Sequence, residues 1–160
     1  MKERTMESGW TGGSLPAPPG GLSWGSVMLR LGQILPGDPV HQLVPAYHFR
    51  IRTSGGVDVG HLNFRVGDTD HVRLVAGHIG YEILEQHRGH GYAREACRAV
   101  APFVRRFYEA VTITCDPDNR PSRRTIERLG AAFLEEVDVP PHDPHYQRGS
   151  RRKRLYRWTP

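Results

Sequence analysis

The chain has 160 residues, which is long enough for one domain with a sizeable hydrophobic core. Its formal net charge of +5 suits anionic ligands, but charge alone does not separate a phosphorylated cofactor from a nucleic acid. The two cysteines, Cys97 and Cys115, offer no disulfide framework and no CxxC metal motif. No apolar run approaches the roughly 20 residues that span a bilayer. We therefore expect a cytoplasmic protein without a membrane partner.

The first 26 residues form a segment rich in Gly, Ser and Pro. Such a composition buries too little apolar surface to offset the entropy of ordering, so the sequence predicts a disordered extension at residues 1–26 and a folded domain at 27–160. The alternative is a tail that docks Trp10 and Trp24 on a partner.

From Val27 onward, apolar and polar residues alternate as is typical of strands. Apolar residues at helical spacing predict helices over residues 93–107 and 121–129, with Pro102 bending the first. Residues 72–76 are a short strand or lead into the next one, and residues 140–149 form a loop. The class is α/β (α+β), with a mixed sheet of six to seven strands flanked by helices. The predicted strands are 27–35, 46–53, 57–66, 78–84, 111–115, 132–139 and 153–158.

A glycine-rich run, Arg88-Gly89-His90-Gly91-Tyr92-Ala93, lies between a predicted strand and a predicted helix. The free amides of a helix's first turn bind anions, and glycines let the backbone approach a phosphate closely. The run does not fit the Walker A loop, because no Lys-Ser/Thr pair follows. It does not fit the dinucleotide fingerprint either, because Arg94 stands at the sixth place counted from Gly89.

Two motifs together indicate a family. Arg88, Gly91 and Ala93 match the pattern Arg/Gln-x-x-Gly-x-Gly/Ala, and a strand, turn and short helix follow downstream with an Asn-x-x-Ser pattern and a final Leu-Gly. On these motifs, which cover residues 77–136, the chain resembles the GCN5-related N-acetyltransferase (GNAT) family. It is closest in motif style to the branch that acetylates the N-termini of ribosomal proteins. The residues at the second set of matching positions are Asn119, Ser122, Leu129 and Gly130.

The resemblance implies a GNAT fold, in which the mixed sheet is mostly antiparallel. It also implies a protein that binds acetyl-CoA as acyl donor and transfers its acetyl group to a primary amine, with no metal. In the family, the glycine loop holds the pyrophosphate, two parallel strands splay apart, and the pantetheine arm bonds to exposed strand backbone. Only about ten residues, 36–45, stand where relatives place helices that wall the acceptor site. We therefore expect a shortened N-terminal region and an open acceptor groove, or one completed in a homodimer. The implied cofactor-binding residues are Ile83, Leu84, Glu85, Arg88, Gly89, His90, Gly91, Tyr92, Ala93, Arg94, Asn119 and Ser122.

The resemblance leaves the catalytic residues open. Many relatives protonate the departing thiolate with a tyrosine seven residues after the Asn, but that position is Ile126 here. Ser122 fits the serine used in the ribosomal-protein branch, and a role in capping a helix weighs equally. The glutamate that many relatives use as base is replaced by Thr114.

Three residues remain as candidates for accepting the proton of the amine or for lining the acceptor site beside that base. Glu82 on the central strand is one, although a structural carboxylate paired with an arginine is the plainer interpretation. His142, in a loop expected to overhang the acceptor side, is another, and Tyr146 is expected to line the same site. His142 and His145 also have the spacing of a metal corner, but no obvious further ligand accompanies them.

Two alternatives to an enzyme stay open at this point. The missing tyrosine and glutamate are compatible with a catalytically weak CoA-binding module. The basic run at residues 148–154 is compatible with an RNA-associated protein, although a solvated loop is the plainer interpretation. The acceptor amine is not specified by the sequence, because acceptor specificity lies in variable loops.

Overall fold

The structure is a computed structural model that describes residues 14–160. One eight-stranded sheet runs through the molecule in the order β1-β2-β3-β4-β5-β6-β8-β7. Every neighbouring pair is antiparallel except β5 and β6. The strands are β1 (Ser23–Trp24), β2 (Val27–Leu35), β3 (Ala46–Thr53), β4 (Asp58–Arg65), β5 (Ile79–Ile83), β6 (Val111–Cys115), β7 (Ala132–Asp138) and β8 (Arg152–Trp158). The predicted mixed, mostly antiparallel sheet is therefore confirmed, with eight strands rather than six or seven.

Two α-helices of more than one turn follow the central strands: α1 (Tyr92–Val104) after β5 and α2 (Arg120–Arg128) after β6. The apolar stripe of α1 is buried, as its spacing predicts. The helix ends two residues after Pro102, so the predicted helix over 93–107 is too long by about three residues. The backbone keeps its i→i−4 bonding through the Arg105 amide and then changes to i→i−3 bonds at Arg106 and Phe107, so the chain leaves the helix in a tighter turn. Gly130 follows α2 in a left-handed conformation, φ +81°, that closes the helix.

The main core lies between α1 and the sheet face that it covers. Tyr47, Phe49 and Phe64 from β3 and β4 pack around Phe103 of α1, with ring centroids 4.9 to 6.5 Å from the Phe103 ring. Edge-to-face aromatic contacts of this kind add to the free energy gained by burying the rings. This packing anchors the helix whose N-terminus forms one wall of the site.

Part of the segment predicted to be disordered is ordered. Strand β1 pairs with β2, the side chain of Leu22 is buried, and the Ser26 hydroxyl donates to a Glu95 carboxylate oxygen at 2.7 Å. The folded domain therefore begins before the predicted boundary at Val27. Within residues 14–26, β1 pairs with the edge of the sheet and Ser26 contacts α1. The predictions for residues 1–13, including the docking of Trp10, lie outside the described residues. Trp24 lies beneath the Arg98 guanidinium, 5.7 Å from the ring centroid.

Two connections differ from their predictions. Residues His71–Ala76 form a single π-helical turn rather than a strand, since Val72, Val75 and Ala76 recur at helical spacing and are buried together. The loop after β7 contains a short helix, α3 (Pro144–Gln147), which Asp143 caps through its side chain. Both segments lie beside the site.

The connection between β2 and β3 contains only a three-residue 3-10 turn, Pro39–His41. The N-terminal helices are thus absent at this point of the fold, as predicted. No helix in the described part of the chain combines the length and the hydropathy needed to cross a bilayer.

Candidate functional site

The site begins where β5 and β6 separate. These two parallel strands share a single register pair, Ile79 with Ile113, and then diverge. Beyond that pair, the edge of β5 that faces β6 has no strand to bond with, so backbone donors and acceptors are left for a ligand. The predicted splayed strands are therefore present.

Two clefts open at this separation. The first has a volume of about 480 Å³ and lies between β5, the glycine loop and α2. The second, about 300 Å³, lies between β4, β5, β6 and the loop that carries α3. Four residues line both clefts, and they mark where the clefts meet: Tyr81, Glu82, Asn119 and Ser122. A ligand in each cleft could therefore react at this junction.

The glycine loop forms one wall of the first cleft. Gly89 and Gly91 adopt φ +88° and +75°, which a side chain would strain, and a Cβ at Gly89 would meet only open space. Gly91 is the N-cap of α1 and supplies no side chain to its amides, and the first backbone bond of the helix runs from the Glu95 amide to the Gly91 carbonyl. The preceding amides are thus left as donors at the positive end of the helix dipole.

Most of the predicted cofactor-binding residues come together here. Those that line the first cleft are Ile83, Arg88, Gly89, Gly91, Tyr92, Ala93, Asn119 and Ser122. His90 and Arg94 do not line it by their side chains.

Leu84 and Glu85 also lie outside the first cleft. The Leu84 amide is already bonded to the Val59 carbonyl of β4, at 2.9 Å. Since backbone groups alternate in direction along a strand, those of Ile83 and Tyr81 point the other way, toward the gap. The Arg88 side chain donates to the Ile83 carbonyl at 2.9 Å, which leaves the Ile83 amide for a ligand.

Asn119 and Ser122 have different roles at the start of α2. The Asn119 side chain caps the helix by accepting from the Ser122 amide at 3.2 Å. The capping role considered for Ser122 therefore belongs to Asn119. The Ser122 hydroxyl instead lies 2.9 Å from the Tyr81 hydroxyl. Burial raises the pKa of Tyr81, so this phenol keeps its proton at neutral pH. Ile126, at the position of the missing tyrosine, is fully buried in the core.

The three candidates for the base or its surroundings lie at different positions in the structure. Glu82 lies at the junction of the two clefts, and among the described residues its carboxylate has no ion-pair or hydrogen-bond partner. His142 is exposed and lines neither cleft. Tyr146 packs under the Arg151 guanidinium, 3.7 Å from the ring centroid, and also lines neither. Thr114 lines the second cleft, where its hydroxyl donates to the Val75 carbonyl at 2.6 Å.

His145, considered only with His142 as a metal corner, lines the second cleft. Its ring lies against that of His71 with centroids 5.5 Å apart, and His71 bonds to the buried Asp143 at 2.6 Å. Within residues 14–160, no group of three or more His, Cys, Asp or Glu side chains is arranged to hold a metal ion. Burial, with Lys153 and Arg148 nearby, lowers the pKa of His145 to about 4, so it is neutral at pH 7.

Basic side chains from three elements reach the second cleft: Arg65, Arg148 and Lys153. Lys153 is buried and paired with Asp116 at 2.7 Å. Although burial opposes it, hydrogen bonds from Lys153 and Ser150 lower the pKa of Asp116, so the pair is ionic at neutral pH. Arg65 has no such carboxylate partner among the described residues.

Neither thiol is activated as a nucleophile. Burial raises the pKa of Cys97 to about 12 and that of Cys115 to about 11. A thiol becomes nucleophilic as its thiolate, so both cysteines are unreactive near neutral pH.

The basic run near the C-terminus is largely engaged in internal contacts. Arg152 pairs with Asp138 at 2.7 Å, and Arg154 pairs with Glu136 at 3.0 Å. With Lys153 held by Asp116, few of these charges stay available to contact a nucleic acid. The RNA-binding interpretation thereby loses its main support.

Sequence reasoning missed several residues of the site. The sequence does not single out Tyr81, because its position in the pattern is that of an apolar strand residue. Its ring does pack on the core, but its hydroxyl contacts Ser122 of α2. Arg65 and Lys153 were overlooked because a charge at the end of a strand is normally solvated. The one signal for Arg65 is its alternation with His61 and Asn63, which puts three polar side chains on one face of β4.

Comparison with known proteins agrees with this geometry. A family model described as an acetyltransferase (GNAT) domain matches residues 39–132, which is more than half of the chain. A comparison with curated proteins finds no match.

Solved structures share the fold at low sequence identity. A protein from Vibrio cholerae assigned as a ribosomal-protein-serine acetyltransferase is 22% identical, with a TM-score of 0.52 over 72% of this chain and 64% of that one. RimJ from Mycobacterium smegmatis, in complex with CoA-disulfide, is 21% identical, with a TM-score of 0.51 over 71% and 53%. The microcin C7 self-immunity acetyltransferase MccE, in complex with acetyl-CoA and AMP, is 18% identical, with a TM-score of 0.53 over 72% and 61%. The chain thus spans between about half and two thirds of the length of these relatives.

Proposed function

The chain belongs to the GNAT acetyltransferase family, and on that premise we propose that it transfers the acetyl group of acetyl-CoA to a primary amine by direct attack in a ternary complex. The observation that carries the proposal is the meeting of two clefts at Tyr81, Glu82, Asn119 and Ser122. One cleft has the features of a donor site and the other those of an acceptor site. We name them the donor cleft and the acceptor cleft.

The residues of the donor cleft fit acetyl-CoA. The uncapped N-terminus of α1 and the glycine loop offer amides at the positive end of a helix dipole, which suits a pyrophosphate. The Ile83 amide, on the unpaired edge of β5, is placed for an extended amide-containing arm. Arg124 lines the same cleft and is a candidate partner for a further phosphate, whereas the neighbouring Arg123 is paired with Glu127 at 2.9 Å.

In the transfer, the amine nitrogen bonds to the carbonyl carbon of the thioester and the carbon–sulfur bond breaks. One proton must therefore leave the amine nitrogen, and one must reach the CoA thiolate. Glu82 is the proposed proton acceptor, directly or through a water, since it lies at the junction without another partner among the described residues. Tyr81 and Ser122 are the proposed proton donor, because their hydroxyls form one pair at the same junction. The raised thiol pKa values support direct transfer over an acetylated cysteine.

The test is binding followed by turnover. Thermal unfolding is measured with saturating acetyl-CoA, CoA, ATP or NAD, because a ligand at about 100 times its dissociation constant adds roughly 2.7 kcal/mol to the stability. We expect the midpoint to rise with acetyl-CoA and CoA and not with ATP or NAD. Release of CoA thiol is then measured with a panel of primary amines. A protein that binds acetyl-CoA but consumes it with no amine would instead be a CoA-binding module.

Two further predictions remain proposals. A cytoplasmic location is supported by two free, buried cysteines. Completion of the acceptor cleft by a second copy of the chain is supported by the short β2–β3 connection, and gel filtration with light scattering tests it.

A further inference from the structure

The wall of the acceptor cleft on β4 is polar. Leu62 and Phe64 point into the core and are fully buried, whereas the alternate residues His61, Asn63 and Arg65 line the cleft. The cleft is therefore built to hold a polar molecule, and its charges indicate which kind.

Arg65 is the central cation of this wall. Its Nη1 lies 3.3 Å from both the Ala76 and the Gly77 carbonyl oxygens, and among the described residues no carboxylate pairs with it. A guanidinium carries five N–H donors, so these two contacts leave several donors for a ligand. The guanidinium also lies against Gly80 of β5, where an added Cβ would stand 2.9 Å from Nη1. Glycine at this position makes room for the charged group beside the cleft.

A second cation lines the same cleft near Arg65. Arg148 also lines the acceptor cleft, and its side chain is exposed. Burial, reinforced by repulsion from Arg148, lowers the pKa of Arg65 to about 10, so Arg65 remains charged at neutral pH. Two cations held near each other without a carboxylate of their own are stabilised by an anion that binds between them.

The negative charge of the cleft lies elsewhere. Asp116 is neutralised by Lys153, so the unpaired carboxylate of the cleft is that of Glu82. Glu82 is two residues from Gly80 on β5, so the two positions lie on the same side of the strand, with Cα atoms about 6.7 Å apart at 3.3 to 3.4 Å per residue. The cleft is therefore dipolar, with its positive end at Arg65 and its negative end at Glu82.

We propose that the acceptor is a small primary amine that carries a carboxylate or phosphate group, with Arg65 and Arg148 binding the anion while Glu82 receives the amine. This inference rests on the transfer function proposed above. A molecule with an ammonium and an anion a few bonds apart matches the polarity of the cleft. A planar guanidinium binds either kind of anion through paired hydrogen bonds.

Matched acceptors test the proposal. CoA release is measured with β-alanine against β-alaninamide and with phosphoethanolamine against ethanolamine. In at least one pair, kcat/KM for the amine that carries the anion is expected to exceed that of the partner without it by about ten- to hundredfold, as for a hydrogen-bonded charge pair. The pair that shows the preference identifies carboxylate or phosphate as the anion. Equal or better turnover of the partner without the anion in both pairs would overturn the inference and leave the transferase function standing.

Variants assign the effect to Arg65. The substitution Arg65→Met is expected to abolish the preference by lowering kcat/KM for the amine that carries the anion, while kcat/KM for the partner without it changes little. The substitution Gly80→Ala should displace the guanidinium without removing its charge, so it tests the same contact if Arg65→Met fails to fold. The control is Arg50→Met, since Arg50 pairs with Asp58 at 2.6 Å and lines neither cleft. A preference that survives both Arg65→Met and Gly80→Ala would contradict the assignment.

A binding measurement separates the two proposals if no amine is turned over. β-Alanine and phosphoethanolamine are titrated calorimetrically into the CoA-bound protein. Binding of either one that is lost in Arg65→Met would support the anion site even though transfer had failed. Absence of binding by both would overturn the anion site whatever the outcome for acetyl-CoA.

Discussion

The hydroxyl of Tyr81 on β5 lies 2.9 Å from the hydroxyl of Ser122 at the start of α2, across the gap between the splayed strands. The two residues come from segments 41 positions apart, and they meet because the Tyr81 ring is anchored on the core and α2 is capped by Asn119. The position where many relatives are expected to hold a tyrosine is the buried Ile126. The phenol that reaches the junction in this chain therefore comes from another element of the fold.

If this pair protonates the departing thiolate, Tyr81→Phe and Ser122→Ala should each lower kcat, by about 10²-fold, with little change in the affinity for acetyl-CoA. Because the two hydroxyls act as a unit, the double variant should lose little more than the worse single variant. Steady-state rates and calorimetric affinities for the four proteins decide this. Fully additive losses would mean that the hydroxyls act separately, and unchanged rates would leave them a structural role.

The substitution Glu82→Gln should lower kcat by about 10²-fold, because it keeps the shape of the side chain while removing the proton acceptor. Steady-state kcat of the variant and the wild type measures this loss. His142→Ala is the matched comparison, since His142 is exposed and lines neither cleft. Should His142→Ala show the larger loss, the proton acceptor would have to be reassigned.

The substitution Arg124→Ala should weaken CoA binding by about fivefold, as expected for an exposed charge-assisted contact. If Arg124 binds the 3′-phosphate, binding of dephospho-CoA should be unaffected. Arg123→Ala serves as control, because Arg123 is paired with Glu127 on the same helix. Equal losses for CoA and dephospho-CoA would place the contact of Arg124 at another phosphate.

Acidification should destabilise the fold through His145. Its pKa falls from an ordinary value of 6.5 to about 4 on folding, so the unfolded chain binds the additional proton between these values. Stability contributed by the neutral ring is complete above about pH 6.5 and is lost as the pH falls toward 4. Denaturant unfolding at several pH values should show a shallower loss in His145→Gln than in the wild type. His142→Gln controls for replacing an exposed histidine in the same loop.

The local sequence determined the strands and the glycine loop, because their signals are short-range. Alternation of apolar residues defines a strand, and glycines at positive φ followed by an uncapped helix define an anion site wherever they occur. The family motifs added the order of the elements and the splay of β5 and β6. The sequence also showed that the family's tyrosine and glutamate are replaced, because the residue at a given motif position is read directly from the sequence.

Local patterns failed where a segment depends on distant partners. Residues 14–26 look too polar to fold, yet Leu22 is buried and β1 finds a partner in β2. Residues 71–76 form a π-helical turn because the tertiary structure buries one side of them. Neither outcome follows from composition, since burial is a property of the assembled fold.

The sequence by itself therefore determined the family, the sheet and the donor loop of this protein, all of which rest on neighbouring residues. Only the tertiary structure decided which side chains meet at the reaction centre. In the tertiary structure the hydroxyl of Tyr81 contacts that of Ser122, whereas His142 and Tyr146 line neither cleft. Arg65 lies beside Gly80 without a carboxylate partner in the described part of the chain. The physical reason is that charge pairing and hydrogen bonding depend on distances of about 3 Å between residues far apart in the chain.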